Sequence, residues 1–518
     1  MIFTRLATRQ LCLLASIFLT GVGFIGSIIL IIIWQVKLTP FRDYGVVIDA
    51  GSSHSEIYLY SWPSDKSDGI GLTSTVKQEN AWPVPNVGGI SGISPGTVDT
   101  ITNYFQSTIQ MCLNAIPNTR KSRTLIFLGA TAGMRLLNIE NPTLSNNILQ
   151  SIRTYFSQLP LLFIQPEIQV RIISGSEEGL SGWITANILY KQLYLNNKPS
   201  ETYGIMDMGG ASTQISFIDE NDPGHPSDVA TMNLFNTDYK VYSHSYLCYG
   251  QDQLRYAYWR NLIYNTTSPT PLTDFTMIND PCLQSNYTLY NVSQSLLFNN
   301  ACSKQNSTIN SIYFNFVGTG NYNLCYEKIR FLIDKTNCTQ IPTCSFNNVY
   351  QPIPISSSNK LVGISSFYNT FNTLAGDQLT SLSTGIYSLN SFNFTYINSI
   401  ISKVCNTPWS GINVDGFRQY LCLHSTYHWL LLQYGYNFTD ANLNNLQIVQ
   451  KIDGNDIGWT LGYMINQTNY IDKELRPFRM LTVAEFGGLL FMFLFLFLIG
   501  TIVTIFIIWF RRSIARKY

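Results

Sequence analysis

A chain of 518 residues is too long for one ordinary domain and suits two or three. Its net charge of +1 gives no reason to expect a polyanionic partner such as nucleic acid. Only 12% of residues are charged, partly because both ends of the chain are apolar.

Leu11 to Trp34 carries no charge and is long enough, at ~1.5 Å per residue, to span a hydrocarbon core of ~30 Å. Its apolar part exceeds the usual signal-peptide core, and no clear small-x-small cleavage site precedes the Lys37 flank, so it reads as an uncleaved anchor. Val46-Val47-Ile48-Asp49-Ala50-Gly51-Ser52-Ser53-His54 follows, and Glu56 to Tyr60 continues it. The pattern predicts two strands joined by a tight turn that begins with an aspartate. Thr124 to Leu128 reads as a buried strand emptying into Gly129-Ala130-Thr131-Ala132-Gly133-Met134-Arg135. Val170 to Ile173 is another strand. A helix capped by Ser176 and opened by Glu177 and Glu178 then runs to about Leu195.

Gly204-Ile205-Met206-Asp207-Met208-Gly209-Gly210-Ala211-Ser212-Thr213-Gln214 nearly duplicates the first Asp loop, which hints at a duplicated fold. Strands alternating with helices give the fold class, α/β. Eight Asn-x-Ser/Thr sequons follow, at Asn265, Asn286, Asn291, Asn306, Asn337, Asn393, Asn437 and Asn466. The same half holds Cys248, Cys282, Cys302, Cys325, Cys338, Cys344, Cys405 and Cys422, with no histidine cluster to suggest metal ligation. Cys112 is left over, as a free or an intermolecular thiol, and Cys12 lies in the first span. The stretch 265–400 should form glycosylated surface insertions stapled by disulfides. A second apolar span, Phe486 to Phe510, precedes Arg511, Arg512, Arg516 and Lys517. With Arg5 and Arg9 before the first span, both ends should be cytoplasmic and the rest extracellular or lumenal.

The chemistry collects where strands end. Asp49 with Gly51, Ser52 and Ser53, Thr131 with Ala132 and Gly133, Glu178, and Asp207 with Gly209 to Gln214 form an inventory for phosphate and metal. Small residues let backbone N–H groups approach a phosphate, and oxygen ligands suit Mg²⁺ or Ca²⁺ rather than Zn²⁺. Glu178, in the first turn of a helix, should stay ionised and accept a proton from water. Each part alone has a plainer reading: an Asp-x-Gly turn is usually a hairpin turn, Glu177-Glu178 capping, and His54 a space-filling loop residue. The combination is what stands out.

In these segments the chain resembles the ecto-apyrases, or nucleoside triphosphate diphosphohydrolases. Five ordered motifs match: Asp49 to Ser55, Gly129 to Arg135, Gly175 to Asn187, Asp207 to Gln214, and Gly458-Trp459 to Asn466. The departures are Ser55, Ser181, Gln251 and Leu421, the last two where residues helping to contain the base are expected. The resemblance implies two actin-like (ribonuclease H-like) domains with the active site in the cleft between them. Lobe I would be 43–173 plus about 450–480, and lobe II 174–449. Flanking them would be 1–42 (tail and span, about 11–34), 486–510 (span) and 511–518 (tail).

It further implies Glu178 as general base and Asp49 and Asp207 as holders of Ca²⁺ or Mg²⁺ through water, with Trp459 nearby. Gly51, Ser52, Ser53, His54, Thr131, Ala132, Gly209, Gly210, Ala211, Ser212 and Gln214 fall at phosphate-loop positions. Tyr368, Arg418 and Tyr420 are candidates for the base. The family's pairing gives Cys248–Cys302, Cys282–Cys325, Cys338–Cys344 and Cys405–Cys422, and leaves Cys112 without its usual partner. The implied activity is stepwise hydrolysis of nucleoside tri- and diphosphates to the monophosphate by a two-anchor membrane protein. The rival readings are a phosphotransferase on the same fold and a silent nucleotide-binding glycoprotein. No sequon falls within 43–264, a bare face that the membrane-side stalk or a second copy could cover. Two spans, with Gly487-Gly488, allow helix packing between copies as a homo-oligomer.

Overall fold

The computed structural model describes residues 2–36, 41–85, 88–193, 198–219, 228–266, 274, 276–303, 311–333, 335, 338, 343–352, 355, 360–378, 386–389, 392–410, 418–474 and 480–516. Two compact units emerge: Met1–Arg42 with Pro63–Asp65 and Asp472–Tyr518, and Asp43–Trp62 with Lys66–Ile471.

The first unit is built on two helices, Ile2–Gln35 and Val483–Ala515, each long and apolar enough to cross a membrane. They pack closely because small residues line the seam. A Cβ on Gly23 would stand 2.4 Å from the Phe497 backbone nitrogen, and one on Gly500 2.6 Å from the Thr20 hydroxyl. Ser16 and Thr504 hydroxyls meet across the seam at 2.8 Å. Gly487 and Gly488 take no part in it, since a Cβ on either would meet nothing within 4 Å. Near the helix ends, Ser64 N–H donates to the Phe41 carbonyl at 2.7 Å, and the Ser64 carbonyl accepts from Glu474 N–H at 2.8 Å.

The second unit holds two sheets of matching topology. Strands β1 (Arg42–Ala50), β2 (Ser55–Pro63), β3 (Lys77–Pro83), β4 (Leu125–Ala130) and β5 (Val170–Ile172) form a sheet in the order β3-β2-β1-β4-β5. Next come β6 (Gly204–Met208), β7 (Ser212–Phe217), β8 (Val229–Leu234) and β9 (Thr237–Leu247), then β10 (Met277–Asp280), β11 (Thr288–Ser293) and β12 (Tyr313–Gly318). Strands β13 (Leu361–Ser365), β14 (Ile386–Ser388) and β15 (Leu446–Val449) complete the second sheet, ordered β14-β15-β13-β6-β7-β9-β8. Within it, β9-β7-β6-β13-β15 repeats the 3-2-1-4-5 order of the first sheet. In both, strands one, four and five run parallel, and strands two and three pair antiparallel. The repeated Asp loop is therefore the first hairpin of each half.

Both faces of each sheet are covered, as parallel strands require. Along β1, Val46 and Ile48 pack with the helices Val98–Ala115 and Pro142–Phe156, while Val47 points into a different cluster. That central cluster takes Val47, Trp62 and Phe127 from the first sheet and Ile205, Val362 and Ile364 from the second. Between them lie Trp183 and Ile184 from the helix Gly175–Leu189, and Leu461 and Met464 from the helix Trp459–Thr468. The two helices touch backbone to backbone: a Cβ on Gly462 would stand 1.9 Å from the Ser181 carbonyl oxygen. The first helix begins earlier than its sequence predicts. Ser174 caps it, its hydroxyl accepting from Glu177 N–H at 3.1 Å, so Ser176 lies inside the first turn. It ends at Leu189 rather than near Leu195, which lies outside the described residues. The strand expected over Thr124–Leu128 runs Leu125–Ala130.

Strands β10, β12 and β11 make a small separate sheet inside 265–400. Four disulfides join Cys248–Cys302, Cys282–Cys325, Cys338–Cys344 and Cys405–Cys422, and Cys12 and Cys112 are unpaired. Asn265, Asn286, Asn291 and Asn393 are exposed, Asn437 and Asn466 are half-buried, and Asn306 and Asn337 lie outside the described residues.

The helix Leu421–Leu430 buries His424 and His428 on one face. Arg255 donates to His424 Nε2 at 3.0 Å, while neither ring nitrogen of His428 has a hydrogen-bond partner. Burial pushes the His428 pKa down to about 3, and burial with the Arg255 charge holds His424 well below its usual range. Both rings are neutral in the fold but take a proton near pH ~6.5 once unfolded. The unfolded chain then binds more protons, so stability falls as pH drops below that value, by roughly 1.4 kcal/mol per unit per histidine. His428→Phe should flatten the acid limb of melting temperature against pH; an unchanged slope would exclude His428 as its source.

Candidate active site

Asp49 is the penultimate residue of β1, paired in register with Gly129 of β4. The turn 51–54 follows, with Gly51 and Ser52 half-buried and Ser53 and His54 exposed; Ser53 Oγ lies 3.1 Å from His54 Nδ1. Thr131 N–H donates to the Ala50 carbonyl at 3.1 Å, which ties the second motif to the first and buries Thr131 and Ala132 beside it. Gly129 is required here by close approach, because a Cβ would sit 2.3 Å from the Trp459 ring. The indole N–H faces Asp49 and lowers its pKa, although it closes no well-aligned hydrogen bond. Desolvation dominates, with repulsion from Asp207 and Glu56 adding to it, and the Asp49 pKa rises to about 7. Its Oδ1 is buried without a partner.

Asp207 occupies the matching position in β6, opposite Ile364 of β13. Burial raises its pKa, against hydrogen bonds from the Ser365 side chain and the Met208 backbone. The turn that follows is closed by Gly209 N–H donating to Ser212 O at 3.0 Å. Gln251 and Asp252 N–H brace it from outside by donating to the Gly209 and Gly210 carbonyls, each at 2.9 Å. Ala211, Ser212 and Gln214 are buried. A Cβ on Gly210 would meet Ser52 Oγ at 3.0 Å and Asp252 Oδ2 at 2.8 Å, so the turns of the two sheets face one another directly.

Glu178 lies between these loops. Arg135, on the helix Ala132–Glu140, donates to Glu178 Oε2 at 2.5 Å, and Gln214 Nε2 reaches the same oxygen at 3.3 Å. Both donors use Oε2, which leaves Oε1 for another proton. The first-turn position favours the anion, but desolvation outweighs it. With Asp207 and Asp49 adding repulsion against the Arg135 charge, the pKa rises to about 8. The expectation of a simply ionised carboxylate meets an excess of negative charge here: three half-buried carboxylates act on one another, and Arg135 pairs with Glu178 alone of the three.

That imbalance, together with the orphaned Asp49 Oδ1, fits a hard divalent cation with oxygen ligands. Among the described residues no three His, Cys, Asp or Glu side chains cluster as a metal cage. The carboxylates of Asp49 and Asp207 are the groups available to hold such an ion. Tyr368 is buried in the outer core of the second sheet, Arg418 is half-buried, and the Tyr420 ring lies 4.3 Å from the Arg255 guanidinium. Arg255 Nη2 in turn holds Asp252 Oδ1 at 2.8 Å, beside Gly210.

Sequence reading missed three participants. Arg135 stands in the second motif but carried no role there. Ser245 accepts from Gln214 Nε2 at 3.0 Å and Arg135 Nη1 at 3.5 Å. Ser365, at the end of β13 with φ 58°, reaches Asp207. The duplicated topology is the signal that could have found it: β13 matches β4, whose end carries Thr131.

Residues 37–478 match the model of the GDA1/CD39 (nucleoside phosphatase) family. The chain is 32% identical over 486 residues to ectonucleoside triphosphate diphosphohydrolase 1 of Bos taurus, covering 89% of this chain and 86% of that one. Over 458 residues it is 32% identical to ectonucleoside triphosphate diphosphohydrolase 3 of Homo sapiens, covering 85% and 81%. In fold it resembles the crystal structure of nucleoside triphosphate hydrolases from Neospora caninum, with a TM-score of 0.59 at 15% identity over 83% of this chain and 93% of that one.

Gly129→Ala forces a methyl against the Trp459 ring and should destabilise the fold by about 1–3 kcal/mol, read as a lower melting temperature. An unchanged melting temperature would mean the ring has room to move.

Proposed function

The chain belongs to the GDA1/CD39 (nucleoside phosphatase) family, and from that premise we propose that it is a membrane-anchored apyrase. It removes the terminal phosphate of nucleoside tri- and diphosphates, leaving the monophosphate, in a cleft between lobe I (43–173 with about 450–480) and lobe II (174–449). The observation that carries this reading is the pair of Asp turns facing each other at Ser52 and Gly210, with Glu178 held by Arg135 and Gln214.

In this mechanism the two turns grip the phosphate chain through backbone N–H groups and the Ser52, Ser53, Thr131 and Ser212 hydroxyls. Asp49 and Asp207 would hold a Ca²⁺ or Mg²⁺ ion, which would supply neutralisation of the phosphate oxygens when bound. Glu178 takes a proton from water on its free oxygen, while Arg135 and Gln214 fix the other oxygen in place. The water then attacks the terminal phosphorus in line, without a covalent intermediate. Trp459 closes the wall beside Asp49. Tyr368, Arg418 and Tyr420 are the residues we assign to the base, and stacking there favours broad tolerance of bases. Basic residues beyond the two spans support cytoplasmic ends and an extracellular or lumenal catalytic unit, as do the sequons.

Purified protein in mild detergent should release phosphate from ATP and from ADP with no acceptor present, and EDTA should abolish it. Release only with an added acceptor hydroxyl would favour a phosphotransferase; binding without release, a silent glycoprotein. Glu178→Gln should lower kcat by at least about 100-fold while cation-dependent nucleotide binding persists. Turnover equal to the parent would remove Glu178 as the base. Because protons and cation compete for the same raised carboxylates, the acid limb of the rate profile should move to lower pH as cation concentration increases. A limb indifferent to cation would count against cation binding at Asp49 and Asp207.

A further inference from the structure

We propose that Ser245 is a positioning residue for this reaction, its hydroxyl aligning the two donors that hold Glu178. The proposal rests on the hydrolase reading and deepens it. Gln214 Nε2 has three acceptors around it: Ser212 Oγ at 2.7 Å, Ser245 Oγ at 3.0 Å and Glu178 Oε2 at 3.3 Å. Since a carboxylate oxygen accepts, the terminal atom aimed at it is the amide nitrogen, which has only two hydrogens. The two serines take the shorter bonds, and Glu178 receives the residual one. Ser245 therefore sets the angle of the Gln214 amide and draws part of its donor strength away from the base.

The same hydroxyl receives Arg135 Nη1 at 3.5 Å, while Nη2 of that guanidinium reaches Glu178 at 2.5 Å. One oxygen on the second sheet thus contacts both groups that fix Glu178, one from each lobe. Its place is rigid. Ser245 pairs with Gln214 in the β7–β9 register, and a Cβ on Gly175, the first residue of the Glu178 helix, would stand 2.2 Å from the Ser245 Cβ. The neighbouring Ser243 differs in kind. It meets Ser216 Oγ at 2.7 Å and donates to the Ser176 carbonyl at 2.9 Å, which pins the helix start without contacting Glu178.

Without the Ser245 hydroxyl, the freed amide hydrogen of Gln214 turns toward Glu178 Oε2, and Arg135 loses one of its guides. The base is then both weaker and less well aimed, while the backbone N–H groups and hydroxyls of the two turns keep their places. Ser245→Ala should lower kcat for ATP about 10-fold with KM within about 2-fold, because binding is untouched while the transition state suffers. Its melting temperature should match that of the parent. Ser243→Ala should show the opposite split, a lower melting temperature with kcat within about 2-fold. In a Gln214→Ala background, Ser245→Ala should cost little more, since its main client is gone.

Parent-like kcat in Ser245→Ala, or an equal further loss in the Gln214→Ala background, would overturn the assignment alone. A parent protein that releases no phosphate overturns the hydrolase reading and this assignment with it. A kcat loss accompanied by an equal loss of stability would reduce Ser245 to a packing residue.

Discussion

Asp49, Asp207 and Glu178 are half-buried within reach of one another's charge, and Arg135 pairs with Glu178 alone of the three. Desolvation raises the pKa of each carboxylate, and mutual repulsion adds to the rise at Asp49 and Glu178. Such a group of acids is costly in a folded protein unless something positive completes it. The surrounding architecture follows from that constraint. Two sheets present one aspartate each at the same strand end, and two glycine turns bring the hairpins close enough to share a ligand. Glu178 starts a helix between them, where Arg135 of the first half and Gln214 of the second reach it.

The duplicated 3-2-1-4-5 topology makes this geometry economical in sequence. Each half needs only an apolar strand, an aspartate and a turn of small residues to present one side of the site. Asymmetry then decides which side does what. The first half contributes Arg135 from a helix that continues β4, and the second contributes Gln214 from the strand after its turn. Trp459, arriving from far along the chain, packs on Gly129 and closes the wall beside Asp49. The small residues at Gly462 and Gly129 matter for the same reason: the central helices could not come this close to the sheets with side chains there.

What could be read in advance was local chemistry. The two Asp turns, the Thr131 loop and Glu178 declare themselves through residue type and spacing, and so does the α/β alternation. The helix cap was displaced by two residues because Ser174 and Ser176 are both competent caps, and only the observed bond to Glu177 N–H distinguishes them. Ser245 and Arg135 were not legible as partners of Glu178, since strand register and the packing of the helices against the two sheets create those contacts. The raised Glu178 pKa was missed for a similar reason. A first-turn argument sees the helix dipole, but not the burial and the two aspartates contributed by other segments.

The central step of the proposed reaction is direct attack of water on phosphorus, with Glu178 as base and the two turns as clamp. The stereochemical course at phosphorus tests this most directly, using a nucleoside triphosphate with a chiral terminal thiophosphate in isotopically labelled water. A single in-line displacement predicts inversion, with the label incorporated in the released thiophosphate. Retention would require a covalent phosphoryl-enzyme and would contradict the account.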